Sequence, residues 1–295
     1  MILNSLLTLC GCCAAVTLAT PLSLLAENQI PEDCKIGGFF IGCQAYTFNH
    51  FSVFEAIEKT ASAGGKVIEF YPGQKLSKEE PTVSWDHNAS AETIQKVKEK
   101  LAASKVTAVN YGVVDIPKDE AAARKVFEFA KALGLYAVTT ESVDAIDTIE
   151  KLVKEYDIKV AFHDHPKQAN NPGYKMWDPN YVMSVIKDRD ARIGSGADTG
   201  HWVRSGLDPV ECLKKLEGRI LGFHLKDALE KGNRGARDVP LGEGTAEYGA
   251  VLAELKRQGY RGVTGIEYEH DSPELDQDVA KCVAFVEKTA KSLGG

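Results

Sequence analysis

Three pairs of ionisable residues, each separated by a single position, stand in the second half of this 295-residue chain: His163/His165, His224/Lys226 and Glu267/Glu269. Each pair closes an apolar run, and Glu69, Glu141 and Asp198 close three others. In extended backbone, residues two apart face the same side, so both members of a pair point one way. One such residue alone is most often a hydrogen-bonded rim group; it is the convergence of several that points to chemistry. Buried charges are costly unless they are paired or coordinate a cation. With Lys226 as the main balancing charge, one divalent metal ion is the simpler solution. Carboxylate and imidazole ligands without cysteine suit Mn²⁺, Zn²⁺, Co²⁺ or Mg²⁺ and do not choose among them. An ion with open positions can polarise a carbonyl, while a neighbouring side chain removes and returns a proton on the adjacent carbon.

The elements that must position these groups are legible as an alternation. Eight short apolar runs rich in β-branched residues, Phe39 to Tyr46, Lys66 to Tyr71, Val106 to Val113, Tyr136 to Glu141, Lys159 to His165, Ala191 to Asp198, Arg219 to Lys226 and Gly262 to Glu269, read as strands. Amphipathic helices are expected between them at Val53 to Ser62, Ala91 to Ser104, Glu120 to Leu133, Ile146 to Glu155, Pro179 to Lys187, Pro209 to Leu216 and Tyr248 to Gln258, with a last one from about Pro273 to Leu293. Glycines at 64, 134 and 259 suit helix C-caps before the next strand. Eight repeats without a linker predict a single-domain (β/α)8 TIM barrel over residues 38–295. A doubly wound open sheet fits less well, because no GxGxxG follows the first strand. In a barrel the catalytic groups gather at the carboxyl ends of the strands, where the paired residues lie; Phe162, Phe223, Leu225, Ile266 and Tyr268 then face the helices, and Asp164 is the exception.

Residues 1–26 are apolar, without a charged side chain before Glu27, and read as a signal peptide, although a basic start is missing; 27–37 form a short N-terminal segment. Thr17, Thr20, Pro21 and Ser23 argue against a membrane anchor, and too few apolar residues precede Cys10 for lipoprotein anchoring. The expectation is an exported mature chain, periplasmic or extracellular, without stable membrane insertion. The net charge of -7, with no Lys/Arg stripe, excludes nucleic acid as a partner. Cys34, Cys43, Cys212 and Cys282 form no CxxC pair; buried free thiols are expected, with a Cys34–Cys43 bridge as the alternative.

The segments Ala197-Asp198-Thr199-Gly200-His201, Phe223-His224-Leu225-Lys226-Asp227, Val239-Pro240-Leu241-Gly242-Glu243-Gly244 and Gly265-Ile266-Glu267-Tyr268-Glu269 resemble, in order and spacing, the sugar phosphate isomerase/epimerase superfamily of xylose-isomerase-like barrels. The resemblance runs from about Gly38 to the last helix. It implies Asp198, His224 and Glu267 as metal ligands and His201 as a substrate contact, and it allows a homodimer. The sequence departs from the pattern at the fifth strand, where such epimerases carry a glutamate ligand and this chain reads Phe162-His163-Asp164-His165-Pro166. Either Glu141 fills the place from the adjacent strand, about 5 Å away, or His163 ligates directly. The preferred arrangement has Glu141 as ligand or base, with His163 and His165 close to substrate.

Around that centre, Glu141, Glu267, Lys226 and His165 are the expected catalytic groups. Lys226 binds a substrate oxygen or forms a salt bridge to Asp227 or Glu267. Glu69 binds a sugar hydroxyl or pairs with a neighbour, Trp202 packs on a sugar face or lies buried behind the site, and Arg237 reaches over the substrate or stays in a solvated loop. Tyr46 and Tyr111 end the first and third strands; His50 and His87 are expected at the surface. The functional expectation is a metal-dependent isomerase or epimerase acting on a free sugar or keto-sugar derivative, a small molecule. The alternatives are a lyase that eliminates a β-substituent, as in dehydratases or 3-keto-glycoside cleavage, and an exported sugar-binding barrel without catalysis.

Overall fold

The computed structural model describes residues 29–294. The leader expected over residues 1–26 lies outside the described residues. Eight parallel strands close on themselves: β1 (Phe39–Gln44), β2 (Val67–Phe70), β3 (Thr107–Tyr111), β4 (Ala137–Thr140), β5 (Lys159–His163), β6 (Ile193–Asp198), β7 (Ile220–Leu225) and β8 (Val263–Ile266). Closure is made by β1, which pairs with β2 through Gly42 and Val67 and with β8 through Cys43 and Ile266. The fold is therefore a TIM barrel.

The helices are α1 (Val53–Ser62), α2 (Ala91–Ser104), α3 (Glu120–Leu133), α4 (Ile146–Tyr156), α5 (Pro179–Ile186), α6 (Thr199–Arg204), α7 (Pro209–Lys215), α8 (Tyr248–Arg257) and α9 (Leu275–Ser292). Their starts follow from local chemistry. Ser52 and Glu55 form a capping box at α1, Ser90 and Asp119 accept from the first turns of α2 and α3, and Asp178 and Asp208 cap α5 and α7 ahead of a proline. The short α6 was not among the expected helices; it starts directly from the end of β6, with Asp198 as its cap. Several strands stop before the expected residue. Val113, Glu141, His165, Lys226 and Glu269 all leave the ladder and lie in the loops at the barrel mouth.

The outward side chains of the strands, including Phe162, Phe223, Leu225, Ile266 and Tyr268, are buried in one continuous core beneath the helices. The inside is filled at mid-height by small residues. Ala161 Cβ, Gly196 Cα and the Asn110 side chain lie within 4 Å of where a Cβ on Gly222 would stand. This narrow waist leaves the volume above it to larger side chains at the mouth. At the other end, Ile30 and Cys34 from the segment before β1 pack on Phe40, Val67, Val109 and Val263 and close the floor. All four described cysteines are free and buried, so the alternative of a Cys34–Cys43 bridge is set aside. Among the described residues no helix is long and apolar enough to cross a membrane.

Candidate active site

Four strand ends deliver one donor atom each to a common point. His163 closes β5, and its Nδ1 lies 3.2 Å from the Gly196 carbonyl, which fixes Nδ1 as the donor and turns Nε2 to the mouth. Asp198 closes β6; its Oδ1 accepts from the His201 N–H at 2.9 Å as the α6 cap, leaving Oδ2 uncommitted. His224, near the end of β7, places Nε2 3.0 Å from Glu69 Oε2, a carboxylate that orients the ring so that Nδ1 faces the same point. Glu267 follows β8, with Oε2 2.9 Å from His224 Nδ1. The donor atoms of His163, Asp198, His224 and Glu267 all lie within 4.8 Å of one another, and all four residues are buried.

Three of these atoms, Asp198 Oδ2, His224 Nδ1 and Glu267 Oε2, are buried and make no well-aligned hydrogen bond; they crowd one another, and Lys226 is the cation beside them. Buried polar atoms are rarely left so, and two carboxylates with two imidazoles suit a divalent ion. The group could therefore bind a metal. Electrostatics agree. Burial pushes the His163 imidazole down to about 3, so it is neutral, with its lone pair available. At His224 burial opposes protonation, but the Glu69 and Glu267 carboxylates outweigh it and hold the pKa well above the imidazole range. A cation among the four would take the place of that proton.

Lys226 lies beside this set, fully buried. Its Nζ is 3.5 Å from Asp198 Oδ2, 3.2 Å from Glu267 Oε2 and 2.5 Å from Glu269 Oε1. Burial disfavours the ammonium, yet Asp198, Glu267 and Glu269 raise its pKa further, so it stays charged. Its stem runs under α6, where a Cβ on Gly200 would stand 2.4 Å from Lys226 Cγ; only glycine lets the lysine lie there. The Glu269 N–H donates to Asp238, which Arg204 holds with a second ion pair. Asp227, one of the partners expected for Lys226, instead accepts from the N–H groups of Gly242, Gly244 and Ala246 and ties down the following loop.

Glu141 is placed differently from the expectation that it completes the ligand set. Its Oε1 sits 2.6 Å from His165 Nδ1 and accepts from the Tyr174 hydroxyl at 2.8 Å, outside the four-residue group, which His163 completes instead. The reason is the end of β4 at Thr140: Glu141 already belongs to the loop and turns toward the segment after β5. Burial opposes its ionisation, but the hydrogen bond and charge of His165 prevail and lower its pKa. His165 is shifted the other way, with burial outweighed by Glu141, so its pKa is raised. With Nδ1 engaged, Nε2 is the free nitrogen of His165.

A cavity of about 400 Å³ opens over these groups, lined among others by Gln44, Tyr46, Tyr71, His165, His201 and Glu269. The His165 and His201 rings stack at 5.0 Å. Gln44 is locked by donating to the Gly112 carbonyl and accepting from the Tyr46 N–H. Gln44, Tyr71 and Tyr174 were not singled out from the sequence. Nor was Asp164 given a role: it is buried, and its Oδ1 accepts from the Asp198 N–H at 2.9 Å, bracing that residue from behind. Burial and the nearby Asp198 carboxylate raise the Asp164 pKa well above its ordinary value.

For other residues the structure selects among the readings left open, and Trp202 and Arg237 are corrected as substrate contacts. Trp202 is 1% exposed and belongs to the core, so it packs behind the site rather than on a ligand. Arg237 is exposed and does not line the cavity. Tyr111 is buried and bonded to a half-buried His87, while His50 is exposed beside Asp271. The Trp202 placement predicts that Trp202→Ala costs about 3–5 kcal/mol of stability, measurable by urea unfolding. A loss below about 1 kcal/mol would put the ring on the cavity side.

Residues 57–288 match the profile of the xylose isomerase-like TIM barrel family. The chain belongs to this family. An inosose dehydratase of Clostridium tetani is 29% identical over 147 residues, covering 43% of this chain and 45% of that protein. The chain thus matches less than half the length of such curated relatives. A solved structure from Parabacteroides distasonis is 29% identical with a TM-score of 0.67, covering 85% of this chain and 99% of that one. A D-tagatose 3-epimerase-like protein shares the fold at 19% identity and a TM-score of 0.67, over 86% of this chain and 98% of that one.

Proposed function

We propose that this xylose isomerase-like barrel is a metal-dependent enzyme that moves a proton on the carbon beside the carbonyl of a sugar or keto-sugar, as an isomerase or epimerase. The observation that carries the reading is the convergence of three buried donor atoms without a well-aligned hydrogen bond, completed by His163, beside a cavity lined by His165. A divalent ion held by His163, Asp198, His224 and Glu267 would supply Lewis-acid stabilisation of the negative charge that develops on a carbonyl oxygen. The chain's own residues do the rest. Neutral His165 takes the proton at Nε2, and Glu141 steadies the imidazolium through Nδ1, as a buried carboxylate does for a catalytic histidine. Lys226 adds a fixed positive charge close to Asp198 and Glu267, and its ammonium can donate to an adjacent substrate oxygen. Return of the proton to the neighbouring carbon, with that carbon's hydroxyl proton passing to the former carbonyl oxygen, gives the isomer; retention of the first proton on His165 and delivery of a solvent proton to the opposite face of the same carbon gives the epimer.

The curated relatives named inosose dehydratases favour a second reading with the same first step. The electron pair left by the proton would expel a substituent β to the carbonyl, the C–O bond breaking and the departing oxygen collecting a proton. Both readings are tested with the full chain supplied with Mn²⁺ or Co²⁺ and candidate keto-sugars in deuterated water. Solvent deuterium at the carbon beside the carbonyl is expected, followed by NMR of the recovered sugar. Appearance of a free leaving group would select the lyase, and tight binding without exchange in any candidate would leave only a binding protein.

A further inference from the structure

A second group of donor atoms stands beside the four described above and shares only His163 with them. One ring nitrogen each from His163, His165 and His201 lies within 4.8 Å of the other two. The ring centres are 4.8 Å apart for His163 and His165, 5.7 Å for His163 and His201, and 5.0 Å for His165 and His201. All three residues line the cavity at the barrel mouth, so the group is open to an ion from solvent.

A metal-binding imidazole almost always donates its other ring N–H to a carboxylate or a carbonyl. Two of these rings are already held that way. His165 Nδ1 meets Glu141 Oε1 at 2.6 Å and His163 Nδ1 meets the Gly196 carbonyl at 3.2 Å, so each has Nε2 to offer. The His201 ring is uncommitted: its Nδ1 makes no hydrogen bond, and its Nε2 lies 3.4 Å from Lys226 Nζ and 3.7 Å from Asp198 Oδ2. Three imidazoles without a carboxylate suit Zn²⁺ and suit Mg²⁺ or Mn²⁺ poorly. They leave the fourth position of a tetrahedral ion free for water from the cavity. Charge favours a further cation. The carboxylates of Glu69, Glu141, Asp198, Glu267 and Glu269 are all in ion-pair range of the mouth's imidazoles or of Lys226, and one divalent ion with that lysine leaves an excess of negative charge.

We propose that His163, His165 and His201 form a second, inhibitory zinc site. His163 has one nitrogen to give, so zinc here takes it from the first ion, which keeps Asp198, His224 and Glu267. Zinc also takes the Nε2 lone pair of His165, the atom that receives the proton in the proposed reaction. The chain is then folded and metal-loaded but without its base. The inhibition rests on the function proposed above; the site itself rests on the geometry of the three rings.

The test uses the full chain, equilibrium dialysis and metal analysis. Wild-type chain should hold about two ions with Zn²⁺ and about one with Mn²⁺. His165→Ala and His201→Ala should each hold about one zinc, because neither belongs to the first set, and that retained ion shows that the barrel mouth is intact. Chain carrying two zinc ions should exchange solvent deuterium into a keto-sugar about 100-fold or more slowly than chain carrying one, the usual weight of a lost general base. One zinc in the wild type, two in either variant, or equal exchange at the two loadings overturns the inference. Absence of exchange with Mn²⁺ and Co²⁺ as well sinks the proposed function, and the zinc count then decides the site by itself.

Discussion

Asp198→Asn and His224→Ala are each expected to strip the chain of its metal and of its activity together. Wild-type chain dialysed against Mn²⁺ or Co²⁺ should retain about one ion per chain, because three buried donor atoms that converge there otherwise make no well-aligned hydrogen bond. Asn keeps the shape of Asp198 and can still cap α6 through its oxygen, so the fold survives while one anionic ligand is lost. His224→Ala removes a donor and also leaves Glu69 and Glu267 facing each other without the imidazole between them. The loss of affinity in both should exceed the 10–100-fold typical of an outer partner. Glu69→Gln supplies that comparison: it touches only the far nitrogen of His224 and should weaken binding by about 10–100-fold. Metal analysis after equilibrium dialysis reads all three. Full metal content in Asp198→Asn would contradict the ligand set.

The second large effect concerns the Glu141–His165 pair. Glu141→Gln should lower kcat by about 10²–10⁴-fold, the usual weight of general acid–base catalysis, with metal content unchanged. Its effect on the pH profile has a definite sign. The Glu141 carboxylate, acting against burial, raises the His165 pKa above about 6.5. A base must be neutral, so the wild-type rate falls as pH drops through that raised value. With the carboxylate gone, burial is the main influence left and it disfavours the imidazolium, so the acid limb moves to lower pH. A profile that stays in place, or a loss of metal in Glu141→Gln, would return Glu141 to the ligand role expected from sequence.

How far the sequence carried depends on the kind of signal. The barrel was legible because period-two and period-3.6 patterns alternate eight times; α1, α2 and α3 span the expected residues, and Ser52, Ser90 and Asp119 cap their starts. Asp198, His224 and Glu267 were legible because each sits on or just past a strand in a short spaced motif. The choice between Glu141 and His163 was not, since it turns on β4 ending at Thr140 and on a Gly196 carbonyl two strands' breadth of barrel interior away from Glu141. The choice between the two readings of Trp202 was hidden for a related reason: α6 starts without any linker after β6, and its helical turn sends the indole into the core. Gln44 and Tyr174 carry no spacing signal at all. Their roles exist only in contacts between segments far apart in sequence, such as Gln44 with Gly112 and Tyr174 with Glu141.

The proposed chemistry requires His163, Asp198, His224 and Glu267 to grip a single ion. Crystals of the full chain grown with Mn²⁺ and measured for anomalous scattering test that directly. One peak is expected at the mouth, bonded to His163 Nε2, Asp198 Oδ2, His224 Nδ1 and Glu267 Oε2, with Glu141 still on His165. No peak at millimolar Mn²⁺, or a peak bonded to Glu141 and not to His163, would contradict it.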